Sequence, residues 1–281
     1  MKKWGITVEE VLYVVRFALQ VKDLISDRIR FMRTRAGEAD KPATLILGGG
    51  DVGVGFAQAI LNGQAAHGEK SGPIVITART KEKADAIFER ILAGYTGKGG
   101  AEFLHKTVFP LVLHPSNQLD SVGLAAGMKA AGFAFGTIVL SAGQASPDSE
   151  IAVKKGMNYK FTFEMVNERT NVVPKKTPYL VLYEAGCLTG SRVIVVSSIA
   201  AGFAAGDPRL KNQLGYAAAQ RSLEEFFTEA AGLASHDHKI SLFRCPLVRG
   251  ATADRYQALG IVPKDIDLPT ACDAARKFLE E

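Results

Sequence analysis

Residues 43–61 read ATLILGGGDVGVGFAQAIL. An apolar run with the density of a buried strand (43–48) passes straight into clustered glycines, and a helix-patterned stretch follows. Glycines at such a junction have physical jobs. They permit a tight turn, let the backbone approach a pyrophosphate, and allow the following helix to pack closely on the strand. The start of that helix presents unpaired N–H groups and a positive dipole end to phosphate oxygens. Strand, glycine loop and helix in this order predict the first β-α turn of a nucleotide-binding sheet. One residue runs against the pattern: Asp51 lies inside the loop and would repel a pyrophosphate unless its side chain turns outward or caps a neighbouring N–H.

Working outward, strand-like runs recur at 43–48, 73–78, 108–114, 136–142, 192–198 and 240–245, with helical patterns around 54–62, 81–94, 120–131, 157–187 and 216–234. Alternation of this kind builds β-α-β units, and near-continuous Val/Ile/Leu runs belong to strands covered on both faces. The predicted fold is a doubly wound parallel α/β sheet, Rossmann-like, of six or so strands over residues 43–281. Residues 1–42 are read as an added unit, an amphipathic helix from 7 to about 35 and the polar linker AGEADKP. Thr7 and Glu10 have the spacing of a capping box, and Val8, Val11, Leu12, Val15 and Leu19 recur at helical intervals. Arg28, Arg30, Arg33 and Arg35 suit the negative end of its dipole. Such a helix docks on the body of the protein, on a sister subunit or other partner, or on a membrane surface.

Composition narrows the classes. With 281 residues and 47% hydrophobic content, the chain fills a sizeable core. Its 34 basic against 29 acidic residues is a mild excess, which does not point to nucleic acid. Cys187, Cys245 and Cys272 are far apart and have no metal-ligand spacing, so they read as reduced core residues of a cytoplasmic or other reducing compartment. The pair His236 and His238 lacks a third ligand nearby, and no metal is expected. No apolar run reaches membrane-spanning length, and the N-terminus lacks a signal peptide's pattern, although an organelle remains open.

The end of the second strand discriminates between the nicotinamide cofactors. An acid there binds a ribose 2′-hydroxyl, whereas an arginine accommodates a 2′-phosphate. The strand ends ITARTKEK, presenting Arg79, Thr80 and Lys81 and no acid, so NADP(H) is favoured over NAD(H).

Gly49, Gly53 and Gly55 follow GxxxGxG, which resembles the TGxxxGxG loop of the short-chain dehydrogenase/reductase family, with Gly48 in the threonine place. LSAG (140–143) is similar to that family's NNAG; Ala142 and Gly143 match, and Leu140 and Ser141 replace the asparagines. The resemblance implies catalytic roles for Ser198 in VIVVSSIAAGF and Tyr216 in LGYAAAQRSLEEF, with Asn167 in the place of the active-site asparagine. Four residues past the tyrosine the family has lysine; this chain has Gln220. Reductase domains of modular polyketide synthases resemble this fold and carry the lysine on the helix that here holds Asn167. That swap does not fit the sequence reading, because asparagine stands there and Lys160 is two turns away. LPTACDAARKFLEE resembles the family's last helix and no seventh strand is expected after it, so the sheet edge left open should be short or protected, by a neighbouring chain or by the added N-terminal helix.

Hydride transfer to a carbonyl needs a proton donor on the substrate oxygen (Tyr216) and a second hydroxyl that orients it (Ser198). Gln220 donates a hydrogen bond but carries no charge, so the tyrosine's pKa is expected to lie higher than beside a lysine. Arg221 lies about 100° round the helix and points elsewhere. Two functions follow. One is an NADP(H)-dependent reductase of a small carbonyl compound, or oxidant of the matching alcohol. The other is a catalytically impaired subunit with a structural or nucleotide-sensing role in a homo-oligomer or larger assembly.

Overall fold

The core strands form where branched residues predominate. Thr44–Leu47 (β1) and Ile74–Ala78 (β2) are buried along their whole length, as strands covered on both faces must be. A computed structural model describes residues 7–30, 42–66, 72–97, 99–144, 148, 159–204, 206–210, 212–233 and 237–281. Val108–Val112 (β3), Thr137–Leu140 (β4), Arg192–Ser198 (β5) and Lys239–Cys245 (β6) complete a parallel sheet in the order β3-β2-β1-β4-β5-β6. The order reverses at β1, so a crevice opens beyond the carboxyl ends of β1 and β4. Pro110 lies in β3, an edge strand, where a missing N–H breaks no interior ladder.

The helices, in chain order, are α1 (Val8–Asp23), α2 (Asp51–Ala66), α3 (Lys81–Ala93), α4 (Gly100–Thr107), α5 (Gln118–Ala130), α6 (Tyr159–Asn167), α7 (Val173–Glu184), α8 (Leu214–Leu233), α9 (Ala251–Ala258) and α10 (Ala271–Glu280). The short α4 falls in a Gly-rich region without a helical pattern in the sequence; Gly99 starts it from a left-handed conformation at φ 92°. A π-helical turn, Glu168–Val172, joins α6 to α7. No helix among the described residues is long and apolar enough to cross a membrane.

Helix α1 begins with the expected capping box: Glu10 N–H donates to Thr7 Oγ1 (3.1 Å) and Thr7 N–H donates to Glu10 Oε2 (2.7 Å). It continues as a π-helical stretch, Leu24–Arg30; the expected extension to residue 35 lies outside the described residues. Phe17, Val21, Ile25 and Ile29 enter the same core cluster as Leu45, Val75 and Phe109, so this face is seated on the domain. Val8, Leu12, Val15 and Leu19 point outward. Gly123 and Gly127 of α5 let α1 approach closely: a Cβ at either would lie 2.6 Å from Phe17 or Val21.

A protected β6 edge was expected, with α1 as one candidate cover. Instead α1 lies over α5, on the β3 side of the sheet, with Arg28 over the Phe109 ring at 5.8 Å. Helix α10 covers part of β6 through Phe278, whose ring lies 4.9 Å from that of Phe243. The same helix explains Gly55, which the GxxxGxG pattern groups with the cofactor-binding glycines. A Cβ there would lie 2.5 Å from the Ala271 carbonyl carbon, so this glycine admits α10 against α2.

Glu224 of α8 ties the helix to two strands. It is 8% exposed and accepts from Ser197 Oγ (2.7 Å), Arg244 Nε (3.0 Å) and Arg244 Nη2 (2.7 Å). Glu224→Ala leaves a buried hydroxyl without its acceptor, and the expected loss is about 1–3 kcal/mol, read as a lower urea midpoint at unchanged slope.

Candidate functional site

The glycine loop is fastened by β2, by the end of β4 and by α3. Gly48 adopts φ +122°, and its N–H donates to Thr77 Oγ1 of β2 at 3.0 Å. From β4, Ser141 N–H and Ala142 N–H donate to Leu47 O at 3.0 and 2.7 Å, and Ser141 Oγ donates to Gly48 O at 2.9 Å. Ser141 thus holds the loop, while Leu140 is a buried core residue. A Cβ at Gly53 would lie 1.8 Å from Gly48 O, and one at Gly49 would lie 2.9 Å from Thr77 O. Only glycine fits either place.

Asp51 is neutralised and turned outward. Arg90 of α3 donates from Nη2 to Asp51 Oδ1 (2.7 Å) and from Nη1 to Gly49 O (2.8 Å), clamping the loop to α3. The other carboxylate oxygen faces Gly250, where a Cβ would sit 2.6 Å away. Asp51 also opens α2, at the positive end of the helix dipole.

Above the loop lies a crevice of about 540 Å³, walled by the ends of β1 to β4 and the start of α7. Arg79, Lys83 and Arg169 line it and have no acidic partner among the described residues. Ala142 and Gly143 border the crevice as expected from LSAG. Thr80 instead caps α3, accepting from Lys83 N–H at 3.3 Å.

Beyond the end of β5 the expected hydroxyls meet. Ser198 pairs in register with Cys245 at the end of β6, and its Oγ accepts from Ala200 N–H at 3.2 Å. Asp148 places the start of α8 by accepting from Leu214 N–H (2.9 Å) and Gly215 N–H (3.3 Å). Tyr216 follows within that first turn, hydrogen-bonded to the side chains of Ser198 and Gln220. Burial pushes its phenol up to about 12; the bonds from Ser198 and Gln220 pull the other way, and the Cys245 sulfur adds to the rise. Gln220 is 2% exposed, and its Oε1 has no hydrogen-bond partner among the described residues. Arg221 donates to Phe203 O at 3.2 Å, away from the phenol as expected.

Asn167 is fully buried and its amide donates to Phe163 O at 3.0 Å within α6. Asn171, one turn on, reaches the β4 loop instead. Its Nδ2 donates to Gln144 O (2.9 Å) and its Oδ1 accepts from Gln144 N–H (3.1 Å). A further turn on stands Lys175, a residue the sequence reading missed. It is 2% exposed, its Nζ donates to Asn171 O (2.9 Å), and a Cβ at Gly143 would lie 3.1 Å from that nitrogen. No carboxylate pairs with it among the described residues. Burial drives its pKa down to about 7, while the Cys245 sulfur works to raise it. Burial also raises the Cys245 thiol to about 12, so it stays protonated.

A lysine is thus buried near Asn171, on α7 rather than on the α6 helix that holds Asn167. Asn167, Asn171 and Lys175 recur at intervals of four, a stripe visible in the sequence. The wider π-helical turn at 168–172 keeps them in line where a straight α-helix would carry Lys175 about 80° away from Asn167. Lys160 precedes that turn, and its side chain lies outside the described residues. Of the histidine pair, His236 lies outside them too, and His238 is buried with its Nε2 3.2 Å from Tyr179 Oη.

No protein-family model matches the chain, and neither does any curated protein. Solved structures do. ElxO with NADP bound superposes at a TM-score of 0.63 with 17% identity, over 85% of this chain and 90% of that one. A variant of ElxO with NADPH bound gives 0.61 and 16%, over the same shares of 85% and 90%. A short-chain dehydrogenase from Streptomyces avermitilis gives 0.57 and 14%, over 86% of this chain and 84% of that one. With its 3-2-1-4-5-6 sheet and glycine loop, the chain has the Rossmann-type fold of the short-chain dehydrogenases/reductases.

Proposed function

We propose that this chain is an NADP(H)-dependent oxidoreductase that reduces a small carbonyl compound or oxidises the matching alcohol. The observation that carries the proposal is the meeting of Ser198, Tyr216 and Gln220 beside Cys245, with the buried Lys175 against Gly143 at the border of a glycine-floored crevice. A lysine buried without a counter-charge is expensive to keep, and strongly perturbed groups of this kind concentrate at functional sites.

The crevice suits the cofactor. Arg79, Lys83 and Arg169 meet the charge of a pyrophosphate and a 2′-phosphate, and the Gly49–Gly53 floor admits a backbone-close ligand. The NADP and NADPH bound to ElxO support the same choice. When bound, NADPH supplies the hydride. Tyr216 delivers its proton to the developing alkoxide and Ser198 orients that oxygen. Lys175, with a pKa near 7 and acting on the same Cys245 sulfur as Tyr216, is the residue proposed to supply the positive charge that Gln220 lacks. Protonated Lys175 is required in this scheme, so turnover falls as pH rises through about 7.

The reading of an impaired subunit has one observation in its favour: Tyr216, pushed to about 12, is a poor proton shuttle without a cation close by. Titration with NADPH and NADH, followed by a carbonyl screen, separates the two. Absence of binding by either nucleotide at millimolar concentration ends the oxidoreductase proposal. Arg79→Ala is expected to raise the Kd for NADPH about 10- to 100-fold and to leave NADH within about 3-fold, the loss of one charged hydrogen bond. Equal effects on both nucleotides would remove Arg79 from the 2′-phosphate.

A further inference from the structure

Helix α1 is wired to the wall of the nucleotide crevice. Tyr13 Oη donates to Asp120 Oδ1 at 2.8 Å. Asp120, 4% exposed in the first turn of α5, also accepts from Asn117 Nδ2 on Oδ1 (2.8 Å) and from His114 N–H on Oδ2 (2.7 Å). Asn117 N–H in turn donates to His114 O at 2.8 Å, closing the loop between β3 and α5 on itself. His114, Pro115 and Ser116 of that loop line the crevice across from the glycine floor.

The grip of α1 on α5 is not confined to this end. Arg30 donates to Ala131 O and, at 3.0 Å, to Gly132 O, satisfying carbonyls at the far end of α5. Between the two ends the Gly123 and Gly127 notches seat Phe17 and Val21. A docked α1 therefore holds α5 along its length and sets Asp120 from outside the crevice, while the crevice loop hangs from the same carboxylate. A buried carboxylate that loses one donor pulls harder on, or relaxes away from, those that remain.

We infer that Tyr13 is a positioning residue for the nucleotide: docking of α1 fixes Asp120, Asp120 fixes the His114–Ser116 wall, and helix docking and nucleotide binding strengthen each other. This rests on the proposal that the crevice takes NADPH. Reciprocity is strict for binding free energies, so the factor by which docking tightens NADPH equals the factor by which bound NADPH favours docking. An appended helix that communicates with the crevice gives any partner on its outer stripe, Val8, Leu12, Val15 and Leu19, a means of tuning the site.

The test uses the full chain, with NADPH as the probe. Two readouts are compared in wild type and Tyr13→Phe: the Kd by fluorescence titration, and amide hydrogen exchange across residues 8–23 with and without nucleotide. In wild type, NADPH is expected to slow exchange in α1. Tyr13→Phe is expected to raise the Kd about 3- to 10-fold and to abolish that protection. Gly127→Val blocks docking by crowding Val21 and Ala18 without touching the crevice, and is expected to weaken NADPH at least as much. A purely structural tyrosine would lower the melting temperature and leave both readouts unchanged, which would overturn the inference while the crevice still bound NADPH. Failure of wild type itself to bind would overturn the parent proposal and this one together.

Discussion

Lys175→Met is expected to melt higher than the wild type and to lose turnover. The side chain is fully enclosed, unpaired with any carboxylate among the described residues, and held near a pKa of 7 by burial. Its unfolded-state value is about 10.5, so between pH 7 and 10.5 the unfolded chain binds a proton that the native chain refuses. Stability contributed by this site therefore rises with pH across that window and is flat below it. At pH 7 and below the penalty is at its largest, and an apolar residue of similar volume removes it. The expected gain is about 2–4 kcal/mol, or roughly 5–10 °C in Tm. The gain shrinks as pH approaches 10, which a melting series from pH 6 to 10 reads directly. Over the same substitution kcat is expected to drop about 10²- to 10⁴-fold, with NADPH binding preserved. A variant that melts lower and retains turnover would make Lys175 an ordinary structural residue.

Gly53→Ala is expected to cost the protein its nucleotide. The added carbon would lie 1.8 Å from Gly48 O and 2.9 Å from Ser141 Oγ, and the nearer atom is backbone already bonded to that serine. Relief requires α2 to move off the loop, which Arg90 and the α10 packing at Gly55 both resist. Affinity for NADPH should fall 100-fold or more, with a loss of stability of about 2–4 kcal/mol from overpacking. Gly63→Ala is the control, because open space surrounds that position on the same helix and it does not line the crevice. Equal NADPH binding by Gly53→Ala and wild type would show that the loop does not hold the phosphates.

The glycine loop, the six strands and the capping box were legible because each is a local pattern. Spacing along the chain and spacing in space coincide within a single turn, strand or loop. Arg79, Ser198 and Tyr216 were equally legible, since each lies at the end of an element whose order in the sheet follows from strand alternation. The short α4 was not, because Gly97, Gly99 and Gly100 hide the signal that its remaining residues carry.

Other relations were decided by tertiary structure alone. Asp51 looks hostile to phosphate until Arg90, 39 residues away in sequence, reaches it from α3. The place of α1 on the β3 side, and its link through Tyr13 to Asp120, join residues 107 apart. Lys175 is the sharpest case. Its four-residue stripe with Asn167 and Asn171 stands in the sequence, yet a straight helix would turn it aside, and only the π-helical turn and the close approach to Gly143 bring it to Cys245. The sequence by itself determined the order of elements, the glycine loop and the positions of Ser198 and Tyr216, because periodicity and chain order carry them. Which charges meet, which carboxylate is neutralised and which lysine is buried depend on contacts between elements far apart in the chain, and those contacts exist only once the sheet and helices have packed.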